Sequence, residues 1–277
     1  MRTSNPALNE RVFDRQIEEQ RQHQATATGT LERPPVDDRV SPWTPARPPI
    51  TGVDTMTVGG VVSASAVLLM LLIAAGWFGW ASVDASPEQV RVPGWLFPIM
   101  LVGLGVAILT IFKPKLARFT APLYAIVEGL VVGAVSHLYE FEFNGIVLQA
   151  VGLTVGVFAL LLFLYATRII EVTQNLRMGI VAATGAVFLV YLVSLVLRLF
   201  GADIPFIHDA GPVGILFSLV VVVIAALNLV LDFDFVERGA AGGAPKYMEW
   251  YGAFGLLITL VWLYLELLRL LAKLRSR

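Results

Sequence analysis

From residue 56 onward the chain repeats one pattern: an apolar run of about twenty residues, then a short polar or Gly/Pro-bearing connection. A hydrocarbon core is about 30 Å thick, so a helix needs roughly 20 apolar residues to cross it. Seven runs reach that length, at 56–80, 94–112, 119–138, 146–166, 178–200, 213–234 and 250–272. They are apolar on both parities, which argues against a β-barrel, whose strands alternate over about ten residues. Helices satisfy their own backbone in lipid, and short connections make successive helices antiparallel. The pattern predicts an all-α membrane protein, with residues 56–277 forming a seven-transmembrane helical bundle.

Composition agrees. Of 277 residues, 57% are hydrophobic and 15% charged, against about 25% charged in soluble domains. Residues 1–55 differ, being rich in Arg, Glu, Gln, Thr and Pro. Such a stretch buries too little apolar surface to offset the entropy of ordering, so it reads as a disordered tail with a short helix near residues 8–22. No basic, apolar and small-residue series of the signal-peptide kind occurs in the first 30 residues. Net charge is −1 and no basic patch is interleaved with aromatics, which argues against nucleic acid as a partner. Cysteine is absent, and His23, His137 and His208 form no metal-ligand spacing. Without HExxH, GxSxG or a Ser/His pair at depth, an intramembrane enzyme is disfavoured, and no cofactor is expected.

Orientation follows from cations in the short loops. Lys113, Lys115 and Arg118 lie in one loop, Arg168 and Arg177 in the next but one, and Arg238 and Lys246 in the one before the last segment. The alternate loops carry only Arg91, with Arg198 at an edge. The positive-inside rule places the N-terminal tail in the cytoplasm. Arg269, Lys273, Arg275 and Arg277 then stand on the wrong side if the last segment crosses. Either that segment is an exception or it enters and returns without crossing.

An ionisable side chain at membrane depth costs about 2.5–3.5 kcal/mol on insertion scales, so each one present is a functional candidate. Helical steps back from Asp232 meet Asn228, Ala225 and Ser218, a small and polar stripe suited to a helix interface. Asp232 is expected to face the bundle interior. Asp234 points nearly the other way and reads as a solvated helix end. Behind Glu266 lie Trp262, Thr259, Gly255 and Gly252, so Glu266 is expected to be buried; its alternative is an ion pair with Arg269 three residues on. Glu128 stands beside Gly129, Gly133 and Ser136, a face that permits close helix approach. It is a candidate for a polar pathway, and His137 reads as interfacial.

"PLYAIVEGLVVGAVS", "LDFDFV" and "LYLELLRLL", in that order along a seven-helix chain, resemble the Bax inhibitor-1/YccA family, also called the transmembrane Bax inhibitor motif family, in a bacterial form. The resemblance covers about residues 56–274 and excludes the tail. It implies six helices around a central seventh and a pH-sensitive calcium leak across the cell membrane. It also implies a paired-carboxylate sensor, which falls on Asp232 and Glu266. Glu266 stands where the family has Asp, and the connection between the two acids is longer than in familiar members. The family's basic residue at the end of helix two corresponds to Lys113.

Two carboxylates sharing a buried site cannot both ionise cheaply, so a proton is held between them. Protonated, such a pair would keep helices six and seven together. Doubly ionised, it would part them and accept calcium weakly, through hard oxygen ligands from Asp232 and Glu266. Two other readings remain open. Asp232, Glu266 and Glu128 could relay protons in a coupled transporter, or the chain could be a non-conducting partner of another membrane protein, such as a protease, contacted through its tail.

Overall fold

The computed structural model describes residues 15, 17–19, 22, 55–85, 90, 91, 93–200 and 211–276. The disordered-tail expectation for residues 1–55 therefore lies almost wholly outside the described residues; the few described before residue 55 are helical. The elements that follow are α1 (Val58–Ala81), α2 (Leu96–Phe112), a 3-10 turn (Pro114–Leu116), α3 (Ala117–Glu142), α4 (Ile146–Ala166), α5 (Gln174–Leu199), α6 (Pro212–Ala241) and α7 (Met248–Arg275). Asp84–Ala85 and Val90–Arg91 form a two-residue antiparallel pair between α1 and α2. Among the described residues six helices are long and apolar enough to span a membrane. The other, α2, has 17 residues, the lower limit for a span.

Local chemistry fixes the boundaries. Thr57 caps α1, its hydroxyl accepting from the Gly60 N–H at 2.9 Å, which satisfies one of the free donors of the first turn. The chain reverses between α3 and α4 at Gly145 (φ 77°) and between α6 and α7 at Gly243 (φ 69°), a backbone region glycine enters without a Cβ penalty. The apolar run of α6 ends at residue 234, but the helix continues to Ala241. Its charges are carried past that point by partners: Asp234 pairs with Arg177 and Arg238, and Glu237 pairs with Arg168 and accepts from the Tyr165 hydroxyl.

Two packing arrangements form the rigid part of the molecule. In the first, α1 and α3 approach backbone to backbone. A Cβ at Gly129 would meet the Leu72 carbonyl, one at Gly133 the Gly76 carbonyl, and one at Gly79 the Leu130 carbonyl. The small-residue face expected around Gly129 and Gly133 is therefore a helix contact, which in lipid supplies the dispersion energy that the hydrophobic effect cannot. In the second, α7 packs against α6, α1, α3 and α4. Every residue from Tyr251 to Leu257 is buried, so α7 exposes no face over two turns.

The start of α1 is stitched to the turn before α7. The Met56 N–H donates to the Ala244 carbonyl at 2.7 Å. Glu249 accepts from the Thr57 N–H at 2.9 Å and from its hydroxyl at 2.8 Å, in space that exists because Gly60 has no side chain. The tail residues that are described lie at this same end: Glu19 pairs with Lys115 at 3.0 Å, and Ile17 lies against Gly242. Burial, with the charge of Glu19 nearby, pushes the Tyr247 phenol up.

The last segment does not enter and return. It is one helix of 28 residues, and its end lies beside the start of α6, where Lys273 Nζ donates to the Gly214 carbonyl at 3.0 Å and to Ser218 Oγ at 2.9 Å. Its described cations are bonded by the protein. Arg269 pairs with Glu266, Lys273 is 7% exposed, and Arg275 donates to the carbonyls of Asn144 at 2.7 Å and Phe143 at 3.3 Å. Lys273 and Arg275 thus bond backbone carbonyls beside the ends of neighbouring helices.

Candidate functional site: a polar seam between α5, α6 and α7

The buried positions of α5 recur at alternating steps of three and four. Arg177, Ile180, Val187 and Ser194 are buried, and Thr184 and Tyr191 half-buried. This is the narrow a/d seam of a coiled coil. Only Ile180 and Val187 of these six are apolar.

Three of the polar positions, each seven residues from the next, make contacts across the seam. Arg177 donates to Asp234 of α6 at 2.5 Å. Thr184 Oγ1 accepts from Asn228 Nδ2 of α6 at 2.8 Å. The Tyr191 hydroxyl donates to Glu266 Oε1 of α7 at 2.9 Å, and Arg269 donates to both Glu266 oxygens at 2.8 and 2.9 Å and to the Tyr191 oxygen at 2.6 Å. The Arg269 guanidinium also stands 5.2 Å from the centre of the Tyr191 ring, a favourable cation–π placement.

Asp232 is 1% exposed and Glu266 is 2% exposed; both face the interior, as the helical steps predict. They do not meet. Along the α6–α7 contact, Lys273 reaches Gly214 and Ser218 at one end, and Gly252 lies against Val236 at the other. That antiparallel register sets Asp232 level with Gly255 and Thr259, and Glu266 level with Val222. About ten residues of helix, roughly 15 Å at 1.5 Å per residue, separate the two acids. The α5 contacts give the same spacing, since Tyr191, which bonds Glu266, also touches Phe217 of α6. The expectation of a shared proton between Asp232 and Glu266 is corrected by this register, and a calcium site built from both acids falls with it. Among the described residues no group of three or more His, Asp or Glu side chains could hold a metal ion.

Glu266 takes the alternative the sequence offered, the pair with Arg269, with Tyr191 added. Asp234 is not a solvated helix end: its side chain is 14% exposed and bonded by Arg177 at 2.5 Å and Arg238 at 2.7 Å. Asn228 is buried and ties α6 to α5. Glu128 lies between α3 and α2, its carboxylate against Gly103 and beside Tyr124 one turn earlier, away from the seam. Lys113 is exposed at the end of α2. His137 bonds the Trp80 carbonyl at 2.7 Å through Nδ1 and stacks on the Trp80 ring at 4.8 Å, which closes the end of α1.

Sequence reasoning missed Tyr191, Arg177 and Lys273 as interior groups, and Glu249 as a lock on α1. The seven-residue spacing of Arg177, Thr184 and Tyr191 was the available signal. It is weak by itself, because a polar seam is recognised only when the partner acids on other helices are placed opposite it.

The geometry defines a class first: a polytopic α-helical membrane protein whose ionisable groups are buried in helix–helix seams. The chain matches the family model described as Bax inhibitor 1 like over residues 5–276, and it belongs to that family. The match begins at residue 5, so the resemblance is not confined to residues 56–274 but takes in the tail. No curated protein matches this chain.

Proposed function

We propose that this protein is a cation leak of the Bax inhibitor type, that calcium is the ion it passes, and that acidification opens it. One observation supports this most: carboxylates buried at two depths of a polar seam, Asp232 near one end and Glu266 toward the other. Buried acids at membrane depth mark ion and proton pathways by default, and hard oxygen ligands suit calcium. A weak site at each depth, rather than one tight cage, fits conduction, because an ion must leave as readily as it enters.

The pairing found for Glu266 changes the sign of the switch from the one a shared proton implies. Glu266 with Arg269, and Asp234 with Arg177, hold the seam as ion pairs, and loss of the carboxylate charge removes what each arginine bonds. Acid weakens the closed arrangement instead of securing it. In this reading α7 is the axis of the bundle, the end carrying Lys115, Arg168, Arg238 and Lys246 faces the cytoplasm, and the membrane is the cell membrane.

The test is calcium entry into liposomes holding the purified protein, followed against pH for the native chain, Asp232→Asn and Glu266→Gln. The reading expects flux that rises on acidification, reduced flux in Asp232→Asn, and flux already high at neutral pH in Glu266→Gln. Absence of flux at every pH rejects a leak and favours a non-conducting partner, for which the tail is the natural contact surface. Uphill movement of another solute driven by a proton gradient would favour a transporter.

A further inference from the structure

The two sides of the seam are built differently. On α6 and α7 the contacts are extensive and apolar: Leu229, Phe254, Leu257, Leu263 and Leu268 are at most 2% exposed. On α5 the seam holds two buried apolar residues, and the rest of the helix turns outward, with Phe188 64%, Leu189 59% and Leu195 58% exposed. Helix α5 packs chiefly on α6. What joins it to the bundle interior is the set of polar contacts at Arg177, Thr184 and Tyr191.

We infer that α5 is the moving wall of this protein: it leaves α6 and α7 as one body when its three polar contacts release, and the opened seam exposes Asn228, Asp232 and Glu266. This rests on the leak reading for its purpose but not for its geometry. In lipid an apolar helix face gains nothing from leaving lipid for protein except packing, so a helix with few buried apolar residues is held by its polar contacts. Two of those contacts, Arg177 with Asp234 and Tyr191 with Glu266, run to a carboxylate, and the third, Thr184 with Asn228, is neutral. They are also spaced by whole heptads, so all lie on one line, and a single outward tilt breaks them together. The α1–α3 contact is held differently: glycine backbones touch there, and His137 stacks on Trp80 only at the end of α1.

The charged and titratable surroundings set the sense of the pH response. Around Glu266 stand Arg269 of α7 and Tyr191 of α5, with Tyr139 of α3 near Arg269, and none of these is a second acid. Around Asp234 stand Arg177 of α5, Arg238 and Glu237 of α6 and Tyr165 of α4. At each place a carboxylate is bonded by an arginine.

The chain has no cysteine, so an introduced pair reports without background. Thr184→Cys with Asn228→Cys joins α5 to α6 where their side chains already touch, at 2.8 Å. Oxidised in liposomes at acid pH, this variant is expected to lose calcium flux by about tenfold or more relative to the same sample after reduction, because the bond excludes the open population. Equal flux in the oxidised and reduced samples overturns the inference and leaves the leak reading standing. Spin labels at Leu192→Cys on α5 and Ile73→Cys on α1, both pointing outward, give a second readout that needs neither flux nor the seam variant to fold. The distance between them is expected to widen by several ångström on acidification. An unchanged distance overturns the moving wall even where calcium flows. A widened distance without flux keeps the moving wall and rejects the leak.

Discussion

Tyr191 on α5 donates a hydrogen bond of 2.9 Å to Glu266 on α7, and Arg269 bonds both of them. A helix with little apolar contact to the interior is thereby tied to the most buried helix of the bundle through a carboxylate. Removing one partner of such a group leaves the other charge buried, which costs about 3–5 kcal/mol where both are fully enclosed. Arg269 is 34% exposed, so Arg269→Met is expected to cost less, about 2–3 kcal/mol. Glu266→Gln with Arg269→Met should recover part of that loss, since no charge is left alone. Denaturation of the three variants in detergent measures this; a double variant no more stable than Arg269→Met would show that the ion pair is not the source.

Asp232 and Glu266 stand at different depths of the bundle. Sites roughly 15 Å apart along antiparallel helices are expected to be additive within about 0.5 kcal/mol. Asp232→Asn combined with Glu266→Gln should therefore shift stability by the sum of the single shifts at neutral pH. A clear shortfall or excess would mean that the two acids share a proton after all.

The contact between α1 and α3 leaves no room for a methyl group. A Cβ at Gly133 would stand 2.6 Å from the Gly76 carbonyl carbon. Gly133→Ala is expected to lower stability by about 3 kcal/mol, the upper part of the range for overpacked sites. Gly152→Ala on α4 is the control, because nothing lies within 4 Å of its added carbon. The pair is compared by thermal unfolding of the purified proteins.

Glu249 closes the start of α1, bonding both the Thr57 N–H and its hydroxyl. Hydrogen bonds to a charged group contribute about 1.5–3 kcal/mol, and a carboxylate at a helix N-terminus adds a favourable dipole term. Glu249→Ala should lower stability by about 2–4 kcal/mol and expose the segment before Val58 to proteolysis. Cleavage at the native rate would show that the contact is dispensable.

Much of the fold was legible because a span in lipid has few solutions. Apolar length gave seven helices within a few residues, and the burial of Asp232 and Glu266 followed from the small and polar residues one turn behind each. The partners were not legible, since a helical face gives direction but not depth. Only the antiparallel register, set by Lys273 against Gly214 and Gly252 against Val236, shows that Glu266 meets Tyr191 and Arg269 rather than Asp232. The reach of α6 to Ala241 was hidden for a related reason: Asp234 and Glu237 look like a polar end until the arginines of α4–α5 are set beside them.

The central claim is that the carboxylate–arginine contacts hold this seam shut. Calcium flux into liposomes at neutral and acid pH, compared between the native protein and Glu266→Gln, tests it most directly. The account predicts native flux that is low at neutral pH and rises on acidification, with the variant already high at neutral pH and nearly flat. Native flux that falls on acidification, or a variant silent at both pH values, would contradict it.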